Sequence, residues 1–183
     1  MDFRRLAPCI ILLLSPLLAM SEPDFDVSGL NTQMTFADAI SHAQALGGNC
    51  TAATPRRRAG GLRSLCYFSD CEETAPGANC EQEGLPKSSF DLAGQPVVSV
   101  EFAGPAEDTP LNSIALYFAG DQAPVLTQLL EQFGQPQTDT AVNTTKSWTE
   151  SRRLMWTQEV HRVSLLVAPK MILMVADREK DSH

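Results

Sequence analysis

Pro96-Val97-Val98-Ser99-Val100-Glu101-Phe102 and Asn112-Ser113-Ile114-Ala115-Leu116-Tyr117-Phe118 decide the fold. In the first stretch Val98, Val100 and Phe102 fall on one side, with Ser99 and Glu101 on the other. In the second, Ile114, Leu116 and Phe118 oppose Ser113, Ala115 and Tyr117. Successive side chains of a strand point to opposite faces, so this alternation predicts two half-buried strands of one antiparallel sheet. Between them runs Ala103-Gly104-Pro105-Ala106-Glu107-Asp108-Thr109-Pro110-Leu111. Its prolines forbid regular pairing, and its length predicts a loop that projects from the sheet and is a candidate functional segment.

Working outward, Thr35 with Asp38 three residues on resembles a capping box, and Phe36, Ile40, Ala43 and Leu46 follow at helical spacing before Gly47-Gly48. This predicts a helix over Phe36 to Leu46. Thr54 to Gly61, with Arg56, Arg57 and Arg58, reads as an exposed basic loop, and Leu65 to Phe68 as a short strand. A second helix starts with Asp121 as cap and Pro124 in its first turn. Its stripe is Val125, Leu126, Leu129, Leu130 and Phe133, and Gly134 and Pro136 stop it. Four further strands are expected, around Lys146 to Glu150 and over Leu154 to Gln158, Val160 to Ala168 and Met171 to Ala176. No internal repeat is visible. The order predicts an α+β fold: a mainly antiparallel sheet with two helices packed on one face, stapled by two disulfides.

Residues 1–21 carry Arg4 and Arg5, then an apolar run through Leu18, then small residues at Ala19 and Ser21. These are the parts of a cleaved secretory signal, and the run is too short and too interrupted by Pro8 and Pro16 for a spanning helix. Cys9 precedes most of the apolar run, so it does not sit where a lipidated cysteine should. Residues 22–34 read as an extended lead-in and 35–183 as a single α+β domain, periplasmic or secreted, with no stable membrane insertion. The signal leaves four cysteines, Cys50, Cys66, Cys71 and Cys80. An even number in an oxidising compartment reads as two disulfides, with three connectivities. The preferred pairing is Cys50 with Cys66 and Cys71 with Cys80, the latter enclosing a turn-rich stretch that needs a local staple. No C-x2-C knuckle supports zinc.

The formal charge is −8. Such a surface disfavours nucleic acid as a partner. Ala39 to Ser69 holds four arginines and no acid, while Asp70 to Asp108 holds nine acids and only Lys87. That acidic block is either a solvated, loop-rich surface or a field that steers a basic partner.

Catalytic machinery is sparse. His183 ends a charged tail, His42 lies on the first helix, and His161 sits near a strand start beside Arg162. None has a nucleophile and orienting group in an identifiable pattern. No phosphate loop, dinucleotide fingerprint, H-E-x-x-H or calcium loop occurs, so no cofactor or metal is expected. Carboxylates are abundant but crowd loops rather than strand ends. Asn49-Cys50-Thr51 and Asn143-Thr144-Thr145 match the glycosylation triplet, a frequent chance pattern. Trp148 and Trp156 lie on successive expected strands and read as core filling rather than a stacking surface.

Leu129-Leu130-Glu131-Gln132-Phe133-Gly134-Gln135-Pro136, then Trp148, then alternating strands, resembles the small exported modules of the outer-membrane assembly lipoprotein and the β-lactamase-inhibitor protein group. The resemblance covers 112–176. It implies a scaffold that binds other proteins rather than a catalyst, here without a lipidated cysteine at the mature start and with a cysteine-rich insert. The expected function is therefore a non-enzymatic periplasmic protein-binding domain, an inhibitor or immunity protein that docks on a protein partner. The alternatives are an envelope-assembly or structural accessory, and a small cell-wall or glycan hydrolase using a carboxylate or His161.

Overall fold

The computed structural model describes residues 25–57, 60–68, 90–118, 121–142, 151–158, 161–168 and 171–178. The expected signal segment, Cys71, Cys80 and Trp148 lie outside them, as does the strand expected at Lys146 to Glu150 and most of the acidic block. The elements are α1 (Phe36–Ala45), β1 (Asn49–Cys50), β2 (Thr54–Pro55), β3 (Leu62–Tyr67), β4 (Asp91–Leu92), β5 (Gln95–Gly104) and β6 (Ser113–Phe118). There follow α2 (Gln122–Phe133), β7 (Thr138–Val142), β8 (Ser151–Thr157), β9 (His161–Ala168) and β10 (Met171–Arg178).

All ten strands join one antiparallel sheet in the order β1-β3-β5-β6-β10-β9-β8-β7, with β2 paired to β3 and β4 to β5. A repeat hidden from the sequence becomes visible here. Helix α1 leads into the meander β1-β3-β5-β6, helix α2 into the meander β7-β8-β9-β10, and the halves meet through their last strands, β6 against β10. Sequence comparison of the halves is defeated by unequal parts. The first strand has two residues in one half and five in the other, and β4 and residues 69–89 interrupt only the first.

The capping reading of α1 holds: Thr35 Oγ1 accepts from the Asp38 amide at 3.1 Å and donates to its carboxylate at 2.8 Å. The α1 amides of Phe36 and Ala37 are taken up by the carbonyls of Thr109 and Glu107, both at 3.0 Å, and Leu111 N donates to Met34 O at 3.0 Å. The connector after β5 thus does not project. It closes over the helix start, because buried amide groups need partners and its proline-broken backbone offers free carbonyls.

Both helices bury their apolar positions in one core with the same face of the sheet: Phe36, Ala39 and Ala43 from α1, Val125 and Leu129 from α2. The sheet contributes Cys66, Val100, Phe102, Ile114, Leu116, Val163, Leu165, Leu154 and Trp156. A register shift between Val97 and Ser99 changes the expected inward set on β5. Val97, not Val98, joins Val100 and Phe102 in the core, because a bulge places one extra residue against the partner strand and inverts the alternation before it.

The stretch read as a lead-in also enters the core. Phe25, Val27 and Leu30 are buried, and Val27 and Leu30 exchange two backbone hydrogen bonds of 3.0 Å around Ser28-Gly29, both at positive φ. That is the geometry of a tight two-residue hairpin turn, which glycine tolerates without strain. His42 Nε2 lies 2.7 Å from the Ser28 carbonyl and ties the turn to α1. Of the two expected disulfides one is present among the described residues: Cys50 and Cys66, which sit directly opposite each other on β1 and β3.

Candidate functional site

The second face of the sheet carries no helix among the described elements, and the register assigns its residues row by row. One row runs Tyr67, Ser99, Tyr117, then position 173, Leu166 and Arg153 across β3, β5, β6, β10, β9 and β8. The next runs Leu65, Glu101, Ala115, Val175, Ser164 and Met155. A third runs Arg63, Ala103, Ser113, Asp177, Arg162 and Thr157. Leu65, Tyr67, Ala115, Tyr117, Val175, Leu166 and Met155 are all half-buried. Apolar and aromatic residues therefore line five of six adjacent strands, with Ser99 and Glu101 on β5 between them, over roughly 24 Å at the usual strand spacing.

A solvated sheet face ordinarily alternates polar-out with charged and hydroxylated residues. This one has two tyrosines flanking Ser99, which is 4 % exposed, and aliphatic side chains over the central seam. Seven strands of five to ten residues give the whole face a plan area on the order of 800 Å², close to the ~800 Å² that each partner contributes to a standard protein interface.

Charge enters at the margins. Arg63 and Glu101 form an ion pair at 2.7 Å, with Arg63 half exposed and Glu101 22 % exposed. Asp177 stands opposite Arg162 and Ser113. Burial pushes its carboxyl above the ordinary 3.8, while Arg162 and Arg56 pull the other way. Arg56 of the basic loop thus faces the sheet margin and is half-buried, whereas Arg57 is exposed and Arg58 lies outside the described residues. The loop is partly structured, too: Thr54 and Pro55 pair with Arg63 and Leu62 as β2. On the helix side, Asp139 and Arg152 form an exposed pair, with Arg152 Nε 2.6 Å from Asp139 Oδ1. That pairing holds the Asp139 carboxyl below its ordinary value and the Arg152 guanidinium above its own.

The hydrolase candidate residue lies elsewhere. His161 is 3 % exposed on the helix side of β9, edge-on to the Phe133 ring at 6.3 Å. His42 serves the hairpin turn described above. Trp156 is fully buried and its Nε1 donates to the Gly134 carbonyl at 2.9 Å, a core and helix-stop role. Among the described residues no group of three histidines, cysteines or carboxylates could hold a metal ion, and no helix is long and apolar enough to cross a membrane. An open groove of about 610 Å³ at the start of α2 is lined by Ala93, Asp121, Pro124, Thr127 and Glu131. Asp121 in it is occupied as the helix cap, accepting from Ala123 N at 3.0 Å.

The outward face was readable only as a side of alternating strands. The signal in the sequence is its composition: Ser113, Ala115 and Tyr117 are small or aromatic where a solvated face favours lysine, glutamate and threonine. No known protein family, curated protein or solved structure matches the chain.

Proposed function

We propose that the chain is an exported, non-enzymatic protein-binding domain of the bacterial periplasm or extracellular space, which docks on a protein partner as an inhibitor or immunity protein does. The half-buried band of Tyr67, Tyr117, Leu166 and Met155, on the sheet face that carries no helix among the described residues, carries this reading. Tyrosine, methionine and arginine are the residues enriched in interface cores, and fixed strands present them with little ordering cost on binding. The Cys50–Cys66 bridge agrees with an oxidising compartment. The order helix, glycine, strand, meander that motivates the likeness over 112–176 occurs in the first half as well, which supports a binding scaffold.

Affinity capture from an envelope extract of the source organism tests it, with the parent chain and a Tyr67→Ala/Tyr117→Ala variant run side by side. The expected result is a specific protein retained by the parent and lost from a variant that melts cooperatively. Equal retention by both, or no specific protein, would count against the reading.

A further inference from the structure

We infer that the partner presents to the sheet face an apolar protein segment bordered by carboxylates. This rests on the protein-binding reading and adds the partner's chemistry. The chain as a whole is anionic, at −8, yet this face is not. Its outward rows hold Arg63, Arg153 and Arg162, with Arg56 beside the third row, against Glu101 and Asp177 alone. Glu101 is engaged by Arg63 at 2.7 Å. Asp177 is half-buried with Arg162 and Arg56 near it. Arg153 is exposed, stands opposite Leu166 beside the apolar band, and makes no ion pair with any described residue.

An unpaired guanidinium at the margin of a tyrosine-rich band is a ready fork for a carboxylate. Complementary charge around an apolar centre selects the partner and speeds encounter, and a basic border would be repelled. Nucleic acid needs a longer basic tract than these four arginines, most of which stand beside Glu101 or Asp177. A lipid surface fits poorly, because these apolar side chains lie half-buried in a sheet rather than projecting from it.

The test uses the processed protein purified from the compartment to which it is exported. A displayed library of random twelve-residue peptides is selected on it, and the best binders are titrated. Vesicles of phosphatidylglycerol and phosphatidylethanolamine are titrated in parallel. Selected peptides should carry an aromatic or aliphatic pair flanked by Asp or Glu, and their affinity should fall as salt rises. Arg153→Glu, at an exposed position, should weaken binding about tenfold and Tyr117→Ala about thirtyfold, while Gln44→Lys on α1 should leave it unchanged. Selection of basic peptides that still require Tyr117 overturns the carboxylate chemistry and leaves the protein-binding reading standing. Vesicle binding that requires Tyr117, with no peptide that does, overturns both.

Discussion

Replacing Trp156 by Phe probes the join between α2 and the second meander. Trp156 is fully buried, and its Nε1 donates to the carbonyl of Gly134, the residue that ends α2 at φ 74°. Phenylalanine keeps most of the apolar contact and deletes the donor. Gly134 is exposed, so its carbonyl can be rehydrated and the lost bond costs about 1 kcal/mol, near the low end for such deletions. The missing fused ring leaves a void of at least a methylene, about 1 kcal/mol more. A total of about 2 kcal/mol is a sizeable share of a typical 5–15 kcal/mol stability, and at this chain length lowers Tm by roughly 4–8 °C. Urea denaturation followed by far-UV circular dichroism reads this without relying on the altered fluorophore. Trp156→Ala, which also removes the ring contacts, should cost about 3–5 kcal/mol. A Trp156→Phe variant within 0.5 kcal/mol of the parent, taking that as roughly the scatter of surface substitutions, would refute the seating of the helix stop on β8.

Leu30→Ala should destabilise by about 2–5 kcal/mol in the same assay, since Leu30 is fully buried; a surface-like effect would mean that the first hairpin turn is not part of the core. Cys50→Ala/Cys66→Ala should lose about 3 kcal/mol, the chain-entropy value for a loop of this size, and an unchanged denaturation midpoint would contradict a bridge there. For Asp177 the folded carboxyl is raised above 3.8, so its charge costs stability at neutral pH and that cost vanishes as pH falls through the folded value. Asp177→Asn should therefore melt higher than the parent at pH 7, with the gap closing toward pH 4; a lower Tm at pH 7 would show that the Arg162 and Arg56 attractions outweigh burial.

Where local chemistry decides an element, the sequence was enough. Thr35 with Asp38 and Asp121 before Gln122 start both helices, and Leu46-Gly47 and Gly134 end them. Strands β6, β8, β9 and β10 followed from period-two alternation, and Cys50–Cys66 was the preferred pairing among three open connectivities. What tertiary contacts decide was not readable. The bulge at Val98 has no local signature, and residues 103–111 look like a free loop until α1 supplies amides for their carbonyls. The strands β1, β2 and β4 are two residues each, below any periodicity, and exist because β3 and β5 offer edges to pair with. The candidate surface was hidden for a related reason. Its rows take one residue from each of six strands, so no segment of sequence contains it, and only the pairing of β6 with β10 joins Tyr117 to Leu166 and Arg153.

Site-specific photo-crosslinking within the source organism addresses the docking face most directly. A photoreactive phenylalanine is placed at Ala115 or Leu166 on the sheet face, and at Gln44 or Thr127, exposed on α1 and α2. Docking through the sheet face opposite α1 and α2 predicts one discrete protein adduct from positions 115 and 166 and none from 44 and 127. Adducts confined to the helix positions, or no discrete adduct from the sheet face while the protein remains folded, would contradict it.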